Sequence, residues 1–183
     1  MQANEKPSIA VTAPAPLRQD GARRALGVDP GTARLGYAVV EERRSTLTLL
    51  TCGVIETPKQ QQMPQRLLAL FTALSAIVRE YEPREMAVEE LFFAKNTTTV
   101  ISVGQARGIA LLVGAEAGLN VSEYKPMIVK QAVHGYGLAS KDQVGEMVKV
   151  LLRLEKVPKP DDAADAAAIA ICHLHMSHLA ELR

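Results

Sequence analysis

The sequence predicts one α/β domain, built on a mixed five-stranded sheet with helices on its faces. Three strand-like segments follow one another between residues 25 and 57, and helical and strand-like segments alternate from residue 63 onwards. Adjacent strands favour antiparallel pairs, whereas alternation of strands and helices favours parallel pairs, so we expect both in one sheet. The 183 residues are a usual length for one domain.

The individual elements are predicted from local patterns in chain order. A β-hairpin is predicted for ALGVDPGTARLGYAVVEE, with Asp29 near the end of its first strand. The next three strands are predicted in TLTLLTCGVIET, MAVEEL and NVSEY. Apolar residues at helical spacing predict a helix over residues 63–81, which Pro83 ends. Four further helices are predicted in TTTVISVGQARGIALLVGAEAG, in PMIVKQAVHG, in SKDQVGEMVKVLLRL after an N-cap at Ser140, and from Asp161 onwards.

Composition and cysteine usage exclude several classes of protein. The chain is 48% hydrophobic and 22% charged, which is typical of a globular domain, and no apolar run approaches the ~18 residues of a membrane span. Cys52 and Cys172 lie far apart without a CxxC pattern, which favours neither a zinc site nor a disulfide framework. We therefore expect a cytoplasmic protein without membrane contact. Residues 1–24 lack periodicity and predict a disordered tail before a domain at 25–180.

Charge is unevenly distributed near the end of the chain. Residues 125–159 contain seven Lys or Arg and three acids, whereas residues 160–183 contain four acids and one Arg. A basic segment that runs into an acidic one suits a protein that holds a polyanion beside a bound cation. Chance clustering on a solvated surface is the alternative.

The stretch PKPDDAADAAAIA places three aspartates at the start of a helix. Asp161 is a preferred N-cap, but Asp162 and Asp165 are three positions apart and share one helix face, where like charges repel. The alanines and isoleucines that follow predict a buried helix, in which an unpaired carboxylate is costly. These acids therefore indicate either a bound cation or simple capping with surface repulsion.

Two other acids, Asp29 and Glu89, end apolar strands. Each alone could be a turn residue or a solvent-edge residue. Together with the helix pair they could converge at one end of the sheet as four hard oxygen donors, which select Mg²⁺ or Mn²⁺ and can hold two ions. Glu90 is a weaker candidate because adjacent strand residues point to opposite faces.

Four motifs together resemble the RuvC family of Holliday-junction resolvases, over roughly residues 25–178. They are LGVDPGTARLGYAVV, AVEELFFAKNTTTVISVGQARG, VKQAVHGYGLASKDQV and DDAADAAAIAICHLH. The resemblance implies a ribonuclease H-like fold, a homodimer, symmetric metal-dependent nicking of two opposing strands of a four-way DNA junction, and work with RuvA and RuvB.

The resemblance also implies which residues are catalytic and which contact DNA. By motif position, the four acidic catalytic residues of the family fall on Asp29, Glu89, Asp162 and Asp165. The hypothesis assigns Asp29 to both ions, Glu89 to one, and the two helix acids to the other. By the same resemblance, the basic residues near the scissile strand are Lys130 and Lys141, and the aromatic that stacks on junction bases is Phe92.

Physical reasoning supports two of these assignments beside their ordinary alternatives. Lys141 follows an N-cap serine at a helix start, where it could stabilise phosphate charge or be a solvated lysine. Phe92 and Phe93 cannot both point inward from an extended segment, so we expect one, Phe92, to be free for stacking instead of core packing. Glycines in the 97–118 helix favour close helix packing, within one chain or, by the resemblance, between subunits.

Three other functions remain as alternatives. Actin-like sugar kinases and ATPases share the early strand and DxGT-like turn, but they need a second glycine-rich phosphate loop that the chain lacks. A YqgF-type RNA nuclease would share the fold and the early aspartate. A non-catalytic junction-binding module is disfavoured by the intact set of four acids.

Overall fold

The computed structural model describes residues 21–90 and 97–181, and within these ranges the strands and helices follow the predicted order. They are β1 (Arg23–Asp29), β2 (Arg34–Arg43), β3 (Thr46–Glu56), α1 (Met63–Tyr81), β4 (Glu85–Glu89), α2 (Thr97–Glu116), β5 (Asn120–Tyr124), α3 (Pro126–His134), α4 (Lys141–Leu151) and α5 (Asp161–Glu181). None of the described helices has the length and apolar character that a membrane span requires.

The five strands form one mixed sheet, as predicted, and their order within it is β3-β2-β1-β4-β5. β1, β2 and β3 pair antiparallel, whereas β4 pairs parallel with β1 and with β5. Val28 of β1 lies opposite Val88 of β4, so the next residues, Asp29 and Glu89, leave the sheet at the same edge. The parallel pair therefore brings two acids together that are 60 residues apart in sequence.

Helices cover both faces of the sheet and form two core layers. α1 and α2 pack on the face that presents Leu26, Val28 and Met86. α3, α4 and α5 pack on the opposite face, against Ala25 and Ala87 among others. Because side chains alternate along a strand, Asp29 and Glu89 point to the same face as Ala25 and Ala87, which is the α5 face.

α5 lies very close to the sheet at a glycine of β2. A Cβ at Gly36 would collide with the carbonyl oxygen of Asp162, so only glycine allows the observed approach. α5 is also the most deeply buried helix, with every residue from Ala166 to Leu174 buried. The first turn of α5 is thereby fixed at the sheet edge where β1 and β4 end.

The structure describes residues 21–24 of the predicted tail and begins β1 at Arg23. Arg23 and Arg24 belong to β1, because acids of neighbouring strands pair with both: Arg24 Nε lies 2.7 Å from Glu41 Oε2, and Arg23 Nη2 lies 2.8 Å from Glu85 Oε2. The remainder of the predicted tail, residues 1–20, lies outside the described residues.

Candidate active site

Three of the four predicted acids line one cavity of about 280 Å³. Asp29 comes from the end of β1, Glu89 from the end of β4 and Asp165 from the first turns of α5. Among the described residues, the cavity is lined by Asp29, Glu89, Pro126, Val129, Lys130, Lys141, Val144 and Asp165. The predicted convergence of strand-end acids with a helix acid is thus observed for these three residues, and both predicted lysines lie with them.

Burial and mutual repulsion make the strand-end carboxylates difficult to ionise. Burial first, and then the charges of Asp165 and Asp162, raise the pKa of Asp29 to about 6. Burial, followed by the charges of Asp29 and Asp165, raises the pKa of Glu89 to about 7. Lys141 opposes both shifts, and Lys130 opposes the shift of Glu89. The site therefore has an excess of negative charge that its own lysines only partly offset.

Among the described residues, Lys141 is the cation closest to the acids that line the cavity. Its Nζ lies 2.7 Å from Asp165 Oδ2, and this hydrogen bond is the main reason that its pKa is raised. The backbone of Lys141 is fixed by the predicted N-cap: Ser140 Oγ accepts from the Gln143 amide, and Gln143 Oε1 accepts from the Ser140 amide at 2.8 Å. The side chain itself is 69% exposed and can reach a ligand in the cavity.

Asp162 is placed differently from the other three acids. It does not line the cavity, and its Oδ2 instead lies 3.2 Å from Nε of Arg34, at the start of β2. Sequence reasoning missed Arg34, because a charged residue after a turn carries no signal of its partner. Asp161, the predicted N-cap, is instead the first residue of α5. Lys159 Nζ lies 2.7 Å from its Oδ1.

The carboxylate oxygens of the predicted acids are suitable ligands for a hard divalent cation, although these side chains do not surround one point in the structure. Within residues 21–90 and 97–181, no three Asp, Glu, His or Cys side chains are close enough to hold one metal ion together. The pKa values of Asp29 and Glu89 are raised by burial and by the neighbouring acids. A bound cation would offset both effects. Carboxylate oxygens are also the ligands that Mg²⁺ and Mn²⁺ prefer.

The structure describes two of the three predicted DNA-contacting residues, Lys130 and Lys141. Lys130 lies on α3 and lines the cavity, next to the apolar side chain of Val129. Phe92 falls in residues 91–96, outside the described part of the chain.

Comparison with known proteins identifies the family. The family model for "Crossover junction endodeoxyribonuclease RuvC" matches residues 25–173. The protein of that name from Roseiflexus sp. (strain RS-1) is 53% identical over 154 residues, 84% of this chain and 92% of the relative. The one from Heliobacterium modesticaldum is 55% identical over 150 residues, 82% of this chain and 93% of the relative.

Solved structures agree with the sequence comparison. Thermus thermophilus RuvC in complex with a Holliday junction substrate is 34% identical, with a TM-score of 0.83 over 86% of this chain and 96% of that one. The yeast mitochondrial Holliday junction resolvase Ydc2 shares the fold at 14% identity, with a TM-score of 0.63 over 87% and 82% of the two chains. These matches confirm the predicted ribonuclease H-like fold. The chain belongs to the RuvC family of crossover junction endodeoxyribonucleases.

Proposed function

We propose that this chain resolves Holliday junctions during DNA recombination and repair, by nicking two opposing strands symmetrically in a metal-dependent reaction. The proposal rests on one observation: Asp29, Glu89 and Asp165 line the same cavity as Lys130 and Lys141. A cavity with both carboxylates and lysines suits a phosphodiester that is held beside divalent cations. The similarity to a RuvC solved with its junction substrate supports a four-way junction as that phosphodiester.

We propose that Asp29, Glu89, Asp162 and Asp165 hold two Mg²⁺ or Mn²⁺ ions. Divalent ions in this position supply the Lewis acidity and positive charge that phosphodiester hydrolysis requires. Asp29 is central to the set, since the charges of both Asp162 and Asp165 act on it. Asp162 joins the set by a side-chain rotation away from Arg34.

The lysines act on the substrate. Lys141 exchanges the Asp165 carboxylate for a phosphate oxygen of the cleaved strand and stabilises the charge that develops there. Lys130 lies on the α3 side of the cavity and neutralises a neighbouring phosphate. Val129 and Val144 form an apolar wall that limits water around these contacts. We further propose that Phe92 stacks on an unpaired junction base, for about 1–3 kcal/mol of binding.

We propose that two copies of the chain pair through α2. One stripe of this helix is exposed: Ile101 is 65% exposed, Leu112 is 54% exposed, and Gln105 and Gly108 lie between them. A Cβ at Gly108 would meet nothing within 4 Å, so the middle of the stripe has open space for a second helix. A two-fold dimer offers one cavity to each of two symmetric strands, which accounts for paired nicks.

RuvA and RuvB are the proposed partners, on the strength of family membership. Localisation to the cytoplasm stays a prediction from the sequence.

The deciding experiment is cleavage of a synthetic four-way junction beside linear duplex and RNA controls, with Mg²⁺, with Mn²⁺ and with chelator. The proposal expects paired nicks at symmetric positions that require metal, spare the duplex and are lost in Asp165→Asn while junction binding is retained. Binding without cutting in either metal would indicate a junction-binding module. Cleavage of RNA alone would indicate the rival nuclease.

A further inference from the structure

Arg34 forms an ion pair with the one proposed metal ligand that does not line the cavity. Arg34 Nε lies 3.2 Å from Asp162 Oδ2 and 3.5 Å from Glu56 Oε1. The Arg34 and Asp162 side chains are 45% and 31% exposed, so the pair is partly shielded from solvent. Glu56 is the directly opposite residue on β3, and its carboxylate pairs with the same Nε atom as Asp162 does.

The backbone at Asp162 cannot adjust, so its side chain alone decides where the carboxylate points. The Asp162 carbonyl is packed against Gly36, and the next residues, Ala163 and Ala164, are buried. Arg34 lies two positions before Gly36 on the same strand. β2 therefore fixes the main chain of Asp162 and also supplies the cation that pairs with its carboxylate.

We infer that Arg34 is a positioning residue that competes with a divalent ion for Asp162. In the metal-free chain it neutralises the Asp162 carboxylate and directs it away from the cavity. When the ion binds, Arg34 gives up Asp162 and keeps Glu56, which remains opposite it on β3. This inference rests on the proposed function, because it takes Asp162 as a metal ligand.

The competition has a predictable size. A partly exposed ion pair contributes up to about 1 kcal/mol, so removal of the guanidinium is expected to tighten divalent-ion binding by about two- to fivefold. The effect is electrostatic and is expected to shrink as the ionic strength rises.

The test is Mn²⁺ binding to the full chain without DNA, followed by the loss of the free-ion electron paramagnetic resonance signal. Wild type is compared with Arg34→Ala, with Arg34→Lys, and with Arg43→Ala as a control. Arg43 lies at the opposite end of β2, about 30 Å away, so its removal changes the net charge equally without touching the site. Circular dichroism establishes that each variant is folded.

The inference expects tighter binding in Arg34→Ala, wild-type affinity in Arg43→Ala, and affinity near that of wild type in Arg34→Lys. The effect of Arg34→Ala is also expected to vanish in an Asp162→Asn background. Equal affinity in wild type and Arg34→Ala, or the same gain in Arg43→Ala, would overturn the inference and leave the proposed function intact. A chain that binds no Mn²⁺ with or without Arg34 would overturn both.

Discussion

His173 on α5 bonds Glu85 on β4 across the sheet-helix interface, with 2.6 Å between Nε2 and Oε2. The other ring nitrogen of His173 lies 2.9 Å from the hydroxyl of Tyr124, at the end of β5. Arg23 also donates to Glu85. Although burial opposes ionisation of Glu85, the hydrogen bonds from His173 and Arg23 outweigh it and hold the pKa of this carboxyl at about 2.

The interactions of Glu85 with His173 and Arg23 make the stability of the fold sensitive to acid. Because the pKa is lower in the folded state than the ordinary 4.5, the stabilisation is fully present above pH 4.5 and is lost as the pH falls towards 2. Urea unfolding at a series of pH values measures this loss. In Glu85→Gln we expect a less stable protein at neutral pH and a smaller decrease below pH 4.5. Parallel curves for the two proteins would contradict the assignment.

Asp29 is expected to reduce stability when no metal is bound. Its pKa is raised from 3.8 to about 6, so at neutral pH Asp29 is ionised in both states, but burial and the neighbouring acids make that charge unfavourable only in the folded chain. Asp29→Asn is therefore expected to raise the free energy of unfolding by about 1–2 kcal/mol in chelator. Glu80→Gln, an exposed change on α1, is the control and is expected to alter stability by less than about 0.5 kcal/mol. A less stable Asp29→Asn would refute this reading.

Mg²⁺ is expected to stabilise the wild-type chain in a pH-dependent way. Asp29 and Glu89 must lose their protons to bind a cation, and their pKa values lie at about 6 and about 7. The increase in Tm on adding Mg²⁺ is thus expected to be largest above about pH 7.5 and to disappear near pH 5. The Asp29→Asn/Glu89→Gln double variant provides the baseline. An equal increase at both pH values would show that the ion binds elsewhere.

Gly36 and Gly108 form a matched pair for testing close packing. Gly36→Ala is expected to cost about 2–3 kcal/mol of stability, because its Cβ collides with the Asp162 carbonyl. Gly108→Ala has open space on an α-helix and is expected to stabilise the single chain by about 0.5–1 kcal/mol. Urea unfolding at low protein concentration compares them. Equal effects would mean that α5 tolerates a shift away from β2.

The exposed stripe of α2 predicts the oligomeric state. Ile101→Asp places a charge on the exposed stripe that forms the proposed dimer interface and is expected to produce a monomer without loss of fold. Sedimentation equilibrium at micromolar concentration measures the change, with the exposed Leu68→Asp on α1 as the control. A wild-type chain that is monomeric at this concentration would exclude α2 as a stable interface.

Sequence patterns predicted the order of the elements and most of the site, because both depend on local signals. Apolar runs end at Asp29 and Glu89, and Ser140 carries a complete capping box, so these features are readable from a few neighbours. The pairing of Arg34 with Asp162 is different. It depends on the register between β2 and α5, which is set by the close approach at Gly36 and leaves no trace in the spacing of either residue.

Helix α5 serves the core and the proposed active site at once. This helix supplies Asp162 and Asp165 and also the central part of one core layer. A chain truncated before Asp161 is therefore expected to lose both the cover of one sheet face and half of the proposed carboxylate set. The same helix that completes the core would complete the proposed active site, so a variant that folds without α5 is not expected to cut DNA.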